Sequence, residues 1–428
     1  MKKKFLLLLA IAICSFHLLN AAAPDLEDGE YGIVVEGFDW GPGVNKVILS
    51  LDETVSAVNM NDYTVAAERK SDCGSIRAED ASGSRTVTYA YVSDAGGNRV
   101  AQGNHVTLVL AVGPNLPISS PIQYFPNEKC RGNVWIDYRL TVSDKNGKQW
   151  NKETNRIIPL VDKFDLSGRF KYSDDMTLSY AYYTPTNAGD KFPLIIWLHG
   201  GGEGGTDPSI PLIANRAANY ASDEIQTLFG GAYVLSPQSP TYWMDSGSGM
   251  TSGKVNDRYN DALMALFKDF VAAHPNVDPD RIYVGGCSNG GYMTLKLILL
   301  HPDFFAAAYP SALAYESEYL TDEQIKSIKN FPIWFVQSKD DPVTIPGKTV
   351  IPVYQRLKAA GAANVHFSFF DHVVDITGFF GGKDYHYNGH WSWIYCHANQ
   401  CRMDIGGFPV MVDGRPATIM EWLAAQRR

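Results

Sequence analysis

Hydrophobic and polar positions alternate along the first third of the chain, and the period then changes. Between residues 31 and 142, Val47, Leu49 and Leu51 alternate with Ile48, Ser50 and Asp52. In the same way Val87, Tyr89 and Tyr91 alternate with Thr86, Thr88 and Ala90. A period of two sends successive side chains to opposite faces of a strand. Residues 107–112 and 138–142 repeat the pattern, and Gly41-Pro42-Gly43, Ala95-Gly96-Gly97-Asn98, Gly113-Pro114-Asn115 and Lys145-Asn146-Gly147 supply turns. No helix-period run of useful length interrupts them. Short strands at this spacing predict an antiparallel sandwich of immunoglobulin-like kind over residues 24–160.

A join falls near residues 152–170, where Asn155, Pro159 and Ser167-Gly168 punctuate the chain. Beyond it strands and helices alternate. Residues 178–183, 192–198 and 232–235 read as strands, the second as a continuous apolar run typical of burial on both faces. Tyr259, Ala262, Leu263, Leu266, Phe267, Phe270 and Val271 recur at helical spacing. A strand at 281–284, an apolar helix at 292–300 closed by His301-Pro302, a strand at 333–337, a helix at 352–360 and a strand at 365–370 follow. The prediction is an α/β sheet with crossover helices over residues 170–428, behind a β-sandwich.

Between the strand at 281–284 and the helix after it lies Gly286-Cys287-Ser288-Asn289-Gly290, the G-x-S-x-G turn that lifts a nucleophilic serine above a sheet. The flanking strand and helix raise this above a chance glycine-rich turn. A serine hydroxyl needs a base, and the base an orienting acid; where the serine sits on a G-x-S-x-G elbow of the α/β-hydrolase kind, they follow in the chain order Ser, Asp or Glu, His. Ser338-Lys339-Asp340-Asp341-Pro342-Val343 offers two aspartates after the strand at 333–337. After the last strand come His366, His372, His386, His390 and His397. His366 falls inside the strand and His372 follows it too closely. Gly389-His390-Trp391-Ser392-Trp393 favours His390, with His386 second. Two backbone N–H groups must face the developing oxyanion. Asn289 supplies one, and His199-Gly200-Gly201-Gly202-Glu203-Gly204-Gly205 the other, from Gly201 or next from Gly202. His199 braces that turn in this reading. The glycines lack the G-K-[ST] ending of a phosphate loop. Gln238, Trp243, Trp391 and the segment 371–388 are candidates for the substrate wall. Trp40, Trp135 and Trp150 suit packing better than a sugar-stacking face.

Leu198-His199-Gly200-Gly201-Gly202, Gly286 to Tyr292, Asp341-Pro342-Val343 and Gly389-His390 together resemble a serine esterase of the α/β-hydrolase fold. The likeness is to the branch of secreted polyhydroxybutyrate-depolymerase-like and feruloyl-esterase-like enzymes, near the prolyl-oligopeptidase group. Enzymes of that kind commonly carry aspartate directly before proline, which implies Asp341 and leaves Asp340 as the alternative. The stretch Gly37-Phe38-Asp39-Trp40-Gly41-Pro42-Gly43 resembles the immunoglobulin-like domain that precedes some bacterial esterases. The resemblance implies ester hydrolysis by Ser288, Asp341 and His390, without metal or organic cofactor, on a small-molecule or polysaccharide-linked ester. The rivals are a serine peptidase with the same triad and an inactive carbohydrate-binding or adhesion protein. No candidate catalytic residue precedes residue 199, so the front domain reads as an accessory.

Composition is that of a globular chain, 45% hydrophobic and 19% charged over 428 residues. Residues 1–22 read as a signal peptide: Lys2-Lys3-Lys4, an apolar core, then small residues, with Ile13 before Cys14 too bulky for a lipidation signal. Its removal takes three lysines and no acid, moving the net charge from −9 to −12. That balance gives no electrostatic reason to bind nucleic acid or an anionic membrane, and the leader predicts a secreted or periplasmic protein. Five cysteines then remain, none in a C-x-x-C pair. The expectation is a Cys396–Cys401 disulfide, a possible Cys73–Cys130 bridge and a free Cys287.

Overall fold

Inward-facing Ile33 and Val35 on Glu30–Phe38 and Val44, Val47 and Leu49 on Gly41–Val55 are fully buried, so these two strands form the central hairpin of a sandwich. The computed structural model describes residues 29–187 and 189–428; the leader read over residues 1–22 lies outside them. One sheet has five strands in the order Lys152–Ile157, Glu30–Phe38, Gly41–Val55, Gly103–Leu110 and Val87–Ser93. The facing sheet has four: Gln149–Trp150, Asp137–Asp144, Tyr63–Lys70 and Ser82–Arg85. Pairing is antiparallel except for Glu30–Phe38 against Lys152–Ile157. Trp150 is buried between the sheets and donates its indole N–H to the Ser50 carbonyl at 2.8 Å. A separate ribbon, Ile122–Phe125 with Gly132–Trp135, leaves the sandwich toward the second domain.

That domain is built on eight strands: Asp165–Ser173, Met176–Tyr183, Tyr233–Gln238, Phe192–Leu198, Val277–Cys287, Ala307–Ser311, Ile333–Ser338 and Val365–Phe370. The first two run antiparallel to their neighbours and the remainder are parallel. Every residue of Phe192–Leu198 is buried, because helices cover both faces of a parallel sheet. One core lies under the helices Asn260–Ala273, Asn289–Leu300 and Val350–Ala359, the other under Ser209–Ala214, Asp223–Phe229 and Ile419–Ala425. Ile122 of the front-domain ribbon belongs to this second core, with Trp135, Ile158 and Leu160 packed on its rim. The two domains thus share apolar surface.

The disulfide expectation is corrected. Cys73 and Cys130 form the bridge, whereas Cys396 and Cys401 are free and buried, as is Cys287. Cys396 sits on the short helix Trp393–His397 with its thiol 3.0 Å from Ser311 Oγ. The two thiols neighbour each other in the core and are not joined.

Candidate active site

Strand Val277–Cys287 runs up the centre of the sheet and breaks sharply at Ser288, which has φ 54° and ψ −110°. A non-glycine residue held at positive φ is strained, and such strain gathers at functional turns. Close approach dictates the neighbouring residue type. A Cβ on Gly290 would lie 2.0 Å from the Leu198 carbonyl oxygen, and one on Gly286 would lie 2.6 Å from the Gly290 backbone. Ser288 N–H donates to the Ser311 carbonyl (2.9 Å), and the Ser288 carbonyl accepts from Tyr292 N–H, which starts the helix Asn289–Leu300. The neighbouring Cys287 thiol points into the core, and burial pushes its pKa well up.

The structure brings Ser288, His390 and Asp341 together. His390 Nε2 lies 2.9 Å from Ser288 Oγ, and its Nδ1 lies 2.9 and 3.0 Å from the two Asp341 carboxylate oxygens. A carboxylate only accepts, so Nδ1 carries the proton and Nε2 is free to accept from the serine. Burial drives the Asp341 carboxyl up, but hydrogen bonds from His390, Thr344 and Val343 outweigh it and hold the group below the ordinary carboxylate range. Gln337 Nε2 adds a further donor at 2.7 Å.

The alternatives fall elsewhere. Asp340 faces His372, whose Nδ1 is 2.8 Å away, and His386 is exposed and stacked on the His372 ring. Gly389 precedes His390 for a reason other than flexibility: a Cβ there would strike Asp340 Oδ1 at 2.3 Å. His397 is buried behind the sheet between Trp197 and Tyr220.

The turn after Phe192–Leu198 lies beside the elbow, and a Cβ on Gly201 would be in contact with Asn289 Cβ at 3.8 Å. His199 braces the turn, with Nδ1 at 2.6 Å from the Gly200 carbonyl and Nε2 accepting from Ser239 N–H at 3.1 Å. Burial lowers its pKa to about 4, so this ring is neutral at neutral pH. Glu203 is buried under the same turn, its oxygens accepting from Asn133 and Asn215, both at 2.8 Å. Burial raises its pKa, and the two amides pull it back.

Two expected wall residues are not on the wall. Gln238 is buried with its amide on the Glu203 carbonyl (2.9 Å), and Trp243 is buried with its indole N–H on the His199 carbonyl (3.1 Å). Trp243 N–H also donates to Asn289 Oδ1. Both side chains support the glycine turn and the elbow from behind, because each has a backbone partner there that it could not satisfy facing a cleft. Trp391 does line the cleft, next to Trp393, which stands edge-on to His390 with ring centroids 5.3 Å apart.

The cleft itself encloses about 800 Å³ above Ser288. Much of its wall comes from the front domain: Asp39, Trp40 and Pro42 at the hairpin tip, and Tyr124 and Asn133 on the ribbon. Trp40 stacks on Phe38 and meets Phe380 of the segment 371–388 edge-on at 4.9 Å. Asp39 pairs with Arg216 at 2.6 Å, and Trp135 donates to Ser209 Oγ at 2.9 Å. The accessory reading of the front domain is therefore revised, because its residues close one side of the cleft. The turn-rich stretch around Trp40 was the visible signal; the ribbon's share had none, since nothing local says what a strand will meet.

Comparison with known proteins agrees with this architecture. Residues 30–155 match the family described as "Esterase Ig-like N-terminal domain". Residues 243–341 match the Prolyl oligopeptidase family, a span that holds Ser288 and Asp341 and stops short of His390. Among curated proteins no sequence matches. Among solved structures, a thermostable esterase is 23% identical and superposes with a TM-score of 0.73, covering 94% of this chain and 100% of its own. An acylaminoacyl peptidase from Pyrococcus horikoshii (20% identity, TM-score 0.35) covers 48% of this chain and 36% of its own. A ferulic acid esterase (16%, 0.39) covers 55% of this chain and 93% of its own. In fold and domain order, this chain is an α/β-hydrolase fold behind an immunoglobulin-like domain that matches the family of esterase N-terminal domains.

Proposed function

We propose that the protein is an exported carboxylic ester hydrolase working through an acyl-enzyme. The observation that carries the reading is the hydrogen-bonded line from Ser288 through His390 to Asp341 at the foot of an open cleft. Ser288 Oγ attacks the ester carbonyl while His390 Nε2 takes its proton and then delivers it to the leaving alcohol. Asp341 fixes the ring's tautomer and stabilises the imidazolium. The N–H groups of Asn289 and Gly201 receive the oxyanion, each worth about 3–4 kcal/mol by analogy with measured donors. Water, activated by the same histidine, then releases the acid. Among the described residues the cleft is lined by Trp40, Tyr124, Trp391 and Trp393, with Asp39 and Glu203 and no lysine or arginine, which suits an ester without negative charge. Export is supported by the leader pattern of residues 1–22 and by the Cys73–Cys130 bridge, since disulfides persist in oxidising compartments.

Ser288→Ala is expected to lose fluorophosphonate labelling and to lower turnover of a short-chain ester by several orders of magnitude with the fold intact. Labelling that survives the substitution would place the nucleophile elsewhere. A second reading, a serine peptidase, is favoured by the match of residues 243–341 to the Prolyl oligopeptidase family. Parallel assays on acetyl, butyryl, feruloyl and hydroxyalkanoate esters and on blocked peptides separate the two.

A further inference from the structure

The oxyanion turn is held from two sides, and only one of them belongs to its own domain. On the catalytic side His199 Nδ1 holds the Gly200 carbonyl at 2.6 Å, and Gln238 holds the Glu203 carbonyl at 2.9 Å. On the other side the front-domain ribbon reaches over. Asn133 N–H donates to the Gly202 carbonyl at 2.7 Å, and the Asn133 amide donates to Glu203 Oε1 at 2.8 Å. The second Glu203 oxygen is taken by Asn215 at 2.8 Å. The approach is so close that a Cβ on Gly132, which sits at φ +133°, would lie 2.2 Å from the Gly202 oxygen. Between these anchors Gly200, Gly201 and Gly202 have no side chain to lodge in a groove. Glycine backbone is free to rotate unless its ends are fixed. An oxyanion donor is effective only if aimed before the reaction begins.

We propose that Asn133 is a positioning residue of the front domain, which through the Gly202 carbonyl and Glu203 sets the aim of the oxyanion N–H groups. The proposal rests on the esterase reading of the same site. It makes the front domain part of the catalytic apparatus rather than a wall alone. Its chemistry is directional: an amide donor on one domain meets a carboxyl acceptor on the other, and a neighbouring amide takes the second oxygen. Such a pair can be reversed without changing its size or its charge.

The test is a reciprocal swap in the full-length protein, assayed on a short-chain nitrophenyl ester. Asn133→Asp sets carboxyl against carboxyl, and Glu203→Gln alone sets amide against amide. Each is expected to lower kcat about tenfold or more while KM moves by less than about threefold, as loss of a transition-state donor requires. In the double variant the new amide at 203 donates to the new carboxylate at 133 and its oxygen still accepts from Asn215. Its kcat is expected to return to within about threefold of wild type, a coupling read by the double-mutant cycle. A double variant no faster than either single one overturns the proposal. So does Asn133→Asp with a lowered melting temperature but an undiminished kcat, because Asn133 would then only hold the domains together. Should Asn133→Asp fail to fold, the comparison of Glu203→Gln with the double variant decides alone. Wild-type protein that neither hydrolyses the ester nor takes a fluorophosphonate removes the esterase reading and this proposal with it. Activity in the wild type without recovery in the swap removes only this proposal.

Discussion

At the scale of single residues, the site depends on groups whose geometry admits few substitutes. Asp341 accepts from His390, Val343, Thr344 and Gln337 at once, so its two oxygens are fully committed. Asp341→Asn replaces an obligate acceptor with a group that can donate, which favours the wrong tautomer of His390. Turnover is expected to fall by about 10⁴-fold, as in other triads with this change. Steady-state kinetics on one ester, with labelling of Ser288 as a second readout, checks it. Gly290→Ala meets the Leu198 carbonyl in the middle of the sheet, where no flexible side chain can yield. Destabilisation of about 3 kcal/mol or more is expected, the upper end of overpacking costs, measured by urea denaturation. Both residues stand in short motifs, and so the elbow, the acid and the histidine were all legible in the chain. Between Asp340 and Asp341 the chain offers only the resemblance's preference for aspartate before proline, and the geometry supplies the reason. The choice is decided by which carboxylate lies under the histidine loop and which lies against Gly389.

At the scale of elements, legibility followed burial and side-chain shape. The strand at 192–198 was read to the residue because its whole length is apolar. Ala307–Ser311 gives no strand signal although it lies in the interior of the sheet, since Ala-Ala-Tyr-Pro-Ser carries no β-branched residue. Asp165–Ser173 lies partly within the join predicted over residues 152–170, because an edge strand with one face in water is mostly polar and gives little strand signal. The short helix Trp393–His397 carries a group that no pattern advertises. His397 is buried with neither ring nitrogen hydrogen-bonded, packed against Trp197 and Tyr220. Burial, helped by the charge of Arg216, lowers its pKa to about 3. In the unfolded chain the ring takes a proton below its ordinary value of 6.5, so the unfolded state binds more protons between pH 6.5 and 3. Stability from this group is thus complete above that range and is lost as the pH falls through it. His397→Phe keeps the aromatic packing and removes the titration. The drop in melting temperature between pH 7 and pH 4 is expected to be smaller in the variant than in wild type. Equal drops would show that other groups govern acid sensitivity.

At the scale of the whole molecule, the two domains cannot be read as a catalyst with an attachment. Ile122 belongs to the catalytic-domain core, Trp40 closes the cleft and Asn133 holds the oxyanion turn. A chain beginning at Lys163 would expose that apolar surface and leave Glu203 without one of its donors. Such a chain is expected to lose most of its turnover even on a small soluble ester, and to melt well below the full-length protein; near-wild-type kcat would show the front domain to be dispensable. Apart from the turn-rich stretch around Trp40, little of this is visible along the chain, where domain order is plain but the meeting of distant surfaces leaves no periodic trace. The interlock of Gly132 with Gly202 carries one more consequence. Two sheets that have each folded but have not yet met present a serine, a histidine and an aspartate without a set oxyanion turn. On the proposed function, ester cleavage also reports on finished assembly: domains that have folded but not met are expected to turn over an ester more slowly than the joined molecule.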